Sequence, residues 1–113
     1  MISDDKVVTT PTIPGYKITK VLGLVTGLSP RTRGIGGVIY GAVQSLIGGE
    51  VTAFTSEVEK ARLEAIQRAI EQAEGKGANA IVGMDIETSE MGSEAMHIMM
   101  MTATGTAVVV EPE

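Results

Sequence analysis

Met96, His97, Met99, Met100 and Met101 fall within one six-residue stretch. Thioether and imidazole donors together select Cu(I). A strand sends alternate side chains to opposite faces. His97, Met99 and Met101 would then share one face, with Met96 and Met100 on the other. The competing use is structural. Methionine fills irregular gaps in aliphatic cores, and only 3% of this chain is aromatic. Upstream stand Asp85, Glu87, Glu90 and Glu94, with His97 beyond them. Converging carboxylates hold Ca²⁺ or Mg²⁺, or a transition metal when an imidazole joins them. The ordinary alternative is a solvated hairpin tip. The candidate metal ligands are therefore Asp85, Glu87, His97, Met99 and Met101. With one histidine and no cysteine, a single subunit cannot build a thiolate site. Copies of one carboxylate about a symmetry axis could still form a cation ring.

Arg31 and Arg33 form the second candidate, a ligand-binding pair on a loop ahead of a helix. Arginines near free helix N–H groups can take an anion. The plainer reading is ion pairing between subunits with some of the 14 acidic residues. The following "GIGGVI" lacks the last glycine of a dinucleotide fingerprint, and no Lys-Ser/Thr follows it as a Walker loop requires. No serine has a histidine at a catalytic spacing, and no carboxylate pair stands apart from the surface acids. We assign no catalytic residue.

The elements that must carry these groups follow from length and pattern. A chain of 113 residues is one domain, with an aliphatic core of modest size. Its net charge of −5 makes it a poor partner for nucleic acid. Neither a signal core nor a membrane-length apolar run is present, so a cytoplasmic protein is expected. Pro11 and Pro14 confine the first β-branched run to an arm or edge strand. A strand runs from Tyr16 to about Val25 and is closed by Gly27 and Pro30, with Arg31 to Gly34 as a loop. Ile35, Val38, Ile39, Ala42, Val43, Leu46 and Ile47 recur at helical steps. Ser56 and Glu59 form a capping box that opens a second helix. Its apolar stripe is Val58, Ala61, Ala65, Ile66, Ala69, Ile70 and Ala73, and Gly75 and Gly77 end it.

A strand over Asn79–Ser89 puts Ile81, Gly83, Asp85 and Glu87 on one face, and Val82, Met84 and Ile86 on the other. "EMGSE" turns the chain into a last strand that ends near Pro112. One face of that strand, Ala103, Gly105 and Ala107, has no bulk, so a helix or another chain must approach it closely. Glycine in a helix costs up to ~1 kcal/mol against alanine. Gly37-x-x-x-Gly41 therefore reads as close helix packing, where subunits meet or against the small-residue strand. The order is strand, helix, helix, strand, strand, with the last two as a hairpin.

Taken together, "IPGYKITKVLGLVTG", "RTRGIGG", "GGE", "KARLEA", "GANAIVGMDIETS" and "GTAVVV" resemble the YbjQ-like family, described as heavy-metal-binding but without an assigned biochemical activity. The likeness runs from about Thr9 to Val110. It implies an α+β fold over residues 1–113, a small antiparallel sheet packed by two helices, with dodecin-like subunits in a homopentameric ring. Here Thr104 takes the place of a tyrosine common before "GTA" in the family. The expected function is a non-catalytic, homo-oligomeric protein that binds a metal ion or small ligand. The alternatives are an enzyme with its active site between subunits, or a structural ring that binds another protein.

Overall fold

The computed structural model describes residues 2–33, 52–93 and 96–113. Three long strands, β1 (Tyr16–Arg33), β2 (Ala80–Ser93) and β3 (Met96–Pro112), form one antiparallel sheet in the order β1-β3-β2. Among the described residues one α-helix, α1 (Thr52–Gly75), stands between β1 and β2 in sequence and lies on one face of the sheet. The expected α+β class and the β2–β3 hairpin are present. The helix expected over Ile35–Ile47, with Gly37 and Gly41, lies outside the described residues. Among the described residues no helix is long and apolar enough to cross a membrane.

β3 takes the centre because its sequence carries no acid or base other than His97 until Glu111. A central strand is covered on both sides and tolerates few charges. β1 is much longer than its sequence pattern predicts. Gly27 and Pro30 do not close it: Gly27 pairs with Ala103 and Pro30 with Met100. Proline is tolerated on an edge strand. Gly27 is required there, because a Cβ at that position would lie 1.9 Å from the Ala65 carbonyl oxygen. Arg31 to Arg33 are therefore strand residues and not a loop. "EMGSE" does not form the turn either, since β2 continues to Ser93 and Glu90 pairs with Met99.

The helix begins at Thr52, so Ser56 is an interior residue and not a cap. Glu59 pairs instead with Arg62 one turn on. The C-terminus follows its sequence signal. Gly77 adopts φ +86°, the left-handed conformation that glycine takes without strain. Its N–H donates to the Glu74 carbonyl at 3.0 Å, and that of Ala78 to Ala73 at 3.1 Å. These are the two bonds of a Schellman ending.

The expected helix stripe is the buried one. Ala61, Ala65, Ala69 and Ala73 are fully buried. They meet a sheet face that is equally short of bulk, with Gly27, Ala103 and Ala107. Small residues on both sides let the helix backbone rest almost on the strands. Val25, Ile81, Met84, Met99 and Met101 fill the flanks of this contact. The close approach expected over Ala103, Gly105 and Ala107 is thus made within the chain: α1 covers the alanines, and Ile81 Cγ2 occupies the space above Gly105.

One feature of β2 reverses its expected faces. Val82 pairs with Thr106 and Asp85 with Thr104, so Gly83 and Met84 together oppose Gly105. Gly83 has φ +64°, the glycine-first form of a β-bulge. The extra residue shifts the alternation. Ile81 therefore joins Met84 and Ile86 under the helix, while Val82 joins Asp85 and Glu87 on the opposite face.

The N-terminal segment is an arm, as its prolines predict. Val8 N–H donates to the Ile81 carbonyl, and Gly83 and Met84 N–H groups donate to Thr10 and Val8. The arm thereby pairs with the outer edge of β2 at the bulge. Ile13, packed with Val82, Val108 and Val110, covers one end of the outer sheet face. Asn79 stands in for a strand residue, accepting from Val110 N–H at 2.8 Å and donating to its carbonyl at 2.9 Å.

Candidate functional site

The described groups with chemical potential divide between the two faces of the sheet. Under the helix, β1 presents Val25, Gly27, Ser29 and Arg31 in alternation, opposite Gly105, Ala103, Met101 and Met99 of β3. Ser29 is fully buried, and its hydroxyl donates to Glu64 Oε1 at 3.1 Å. Arg31 Nη2 donates to Glu64 Oε2 at 3.0 Å, and Arg68 Nη2 lies 2.8 Å from Oε1. One helix carboxylate thus gathers a hydroxyl and two guanidinium groups. Arg31 Nε is buried without a hydrogen-bond partner, and Glu57 Oε2 lies 3.9 Å from it. That separation leaves a charge contact and no hydrogen bond.

This cluster does not resemble an open anion site. Glu64 already holds Arg31, and the pairing is within the chain, where the sequence reading placed it between subunits. Arg33 continues the strand, in register with His97. Sequence reasoning missed Ser29, Glu64 and Arg68. Glu64 and Arg68 look like the outer face of an amphipathic helix, and only the inward phase of Ser29, two residues from Gly27, hints at burial.

Met99 and Met101 lie in the same layer, nearly fully buried, and Met84 shares their core. Thr88 Oγ1 donates to Met101 Sδ at 3.2 Å, so one thioether already has a polar partner. Asp85 and Glu87 are exposed on the other side of the sheet, opposite Thr104 and Thr102. Beyond them across β3 come Thr26 and Leu28. The sheet itself separates the acids from the methionines. His97 is placed by register between Arg33 and Gly92. Among the described residues no three histidine, aspartate or glutamate side chains converge on a point. Asp85 and Glu87 therefore do not share a site with Met99 and Met101 within one chain.

The family model described as "Putative heavy-metal-binding", YbjQ, matches residues 6–111. A UPF0145 protein of Methanoregula boonei is 46% identical over 107 residues, 95% of this chain and 87% of its own. Another from Methanocella arvoryzae is 41% identical over 113 residues, 100% of this chain and 92% of its own. A protein of unknown function of the DUF74 family from Pediococcus pentosaceus shares the fold. Its TM-score is 0.64 at 14% identity, over 93% of this chain and 96% of that one. The family's description names a metal, and among the described residues no group of three histidine, aspartate or glutamate side chains could hold one. With nearly the whole sequence matched, from the arm to the end of β3, the chain belongs to the YbjQ family.

Proposed function

We propose that this chain is a non-catalytic binding subunit of a cytoplasmic homo-oligomer, a pentameric ring of dodecin-like subunits, with a metal ion or small ligand held where subunits meet. The observation that carries the reading is the outer face of the sheet. Leu24 and Leu28 are 67% and 48% exposed on its β1 side. Asp85 and Glu87 stand on its β2 side, with Thr102, Thr104 and Thr106 between. An exposed apolar strip rimmed by polar groups suits a contact between proteins. Carboxylates that diverge on one chain can converge when copies surround an axis. The subunit number is supported by family resemblance. The absence of catalysis is supported by the Glu64 cluster, whose carboxylate is taken up by Ser29, Arg31 and Arg68.

Native mass spectrometry of untagged protein, purified without chelator, tests both halves. The expected mass is a multiple of the 11.8 kDa subunit plus a stoichiometric metal. The metal mass should disappear in Asp85→Asn/Glu87→Gln while the assembly persists. A monomer overturns the assembly reading. A metal-free assembly, or one whose metal survives in the variant, overturns the metal reading at these acids.

A further inference from the structure

β1 is a long strand with one unpaired edge among the described residues, since it bonds only to β3. An antiparallel edge strand turns the N–H and C=O of every second residue outward. Such an edge beside exposed leucines is a template for strand addition by another chain. The helix reaches across to two of these groups. Thr26 N–H donates to Gln72 Oε1 at 2.7 Å, and Arg68 Nη1 donates to the Leu28 carbonyl at 2.5 Å. The spacing is matched. Residues four apart on a helix are ~6 Å apart along its axis, and residues two apart on a strand are ~6.8 Å apart.

Two further features fit this arrangement. Gly27, between the two capped residues, lets α1 approach until its backbone touches the strand, which brings Gln72 and Arg68 within reach of the edge. Arg68 is also held by Glu64, so its guanidinium is fixed before it meets Leu28. The next residue in the same phase is Pro30, which has no N–H to offer. Three successive edge positions are thereby blunted, each by a different means.

We propose that Gln72 and Arg68 are edge guards, which occupy the β1 backbone so that a strand of a second copy of this chain cannot add to it. Assembly is then directed to the face of the sheet and away from its edge. Gln72→Met with Arg68→Met keeps side-chain length and helix propensity but removes both bonds. Two readouts decide the matter. Amide exchange at Thr26 should quicken about five- to ten-fold, the loss of one hydrogen bond of ordinary net strength. Native mass spectra and thioflavin fluorescence should show open-ended assemblies, larger than those of the unaltered protein, with rising concentration. Unchanged assembly size and no dye response, with the Thr26 amide freed, overturn the proposal. Gln72→Met alone leaves the Arg68–Glu64 pair in place and should show the same change to a lesser degree. If the double variant loses its helical circular dichroism, the single variant decides on the same two outcomes.

Discussion

The two faces of the sheet are built on opposite rules. Beneath α1 the central contact is made by small residues: Gly27, Ala103 and Ala107 against Ala61, Ala65, Ala69 and Ala73. The outer face carries leucines, threonines and carboxylates, and near Leu24 much of it stays open. The inner face gains contact by close approach and has no room to change. The outer face has bulk, exposure and charge and can accommodate a neighbour. The difference shows where the fold is held and which face stays exposed.

The sharpest way to break this contrast is Gly27→Ala. The added carbon would meet backbone oxygen and nitrogen of α1 at 1.9 and 2.6 Å, atoms that move only if the helix moves. We expect a loss of about 3 kcal/mol or more, which lowers the melting temperature by about 12–24 °C in a domain of this size. Gly105→Ala is the gentler inner test. Its nearest obstacle is the Ile81 Cγ2 methyl at 2.6 Å, a side-chain atom, so about 1–2 kcal/mol is expected in denaturant unfolding. Leu24→Gln with Leu28→Gln should change the stability of the chain least, by about 0.5 kcal/mol or less, in denaturant unfolding at high dilution. An outer-face loss equal to that of Gly27→Ala would show that the fold is not held by the helix contact alone.

How much of this was legible in the sequence depended on whether a residue's neighbours were local. The alanine stripe, the Gly77 ending and the β2–β3 hairpin follow from periodicity and from glycine's conformational freedom, both local properties. The ends of the strands were misread because Gly27 and Pro30 are usually punctuation. Here one answers to a helix far along the chain, and the other to the absence of a neighbour on one edge. The faces of β2 were misassigned for a related reason. Counting by twos along β2 put Ile81 with Asp85, but the bulge at Gly83 inserts one residue and exchanges the faces. Glycine within a strand pattern signals such a bulge, but its phase emerges only when Gly105 is seen opposite two residues. Glu64 and Arg68 resemble ordinary surface charges until Ser29 and Leu28 are placed beside them.

The bulge at Gly83 also governs how this chain can vary in length. A strand without it accepts the loss of a residue by sliding its register, at the expense of every side chain beyond. In β2 the extra residue is already the phase shifter. Deleting Gly83 would therefore restore plain alternation: Ile81 and Met84 would stand two apart and both remain beneath α1. A deletion at any other position of β2 would leave the bulge in place, and one half of the strand would have to present its polar side to the helix. Substitutions in this stretch can be graded by size and charge. Insertions and deletions elsewhere in β2 are all-or-none, because the bulge is the one point at which an extra residue is already absorbed.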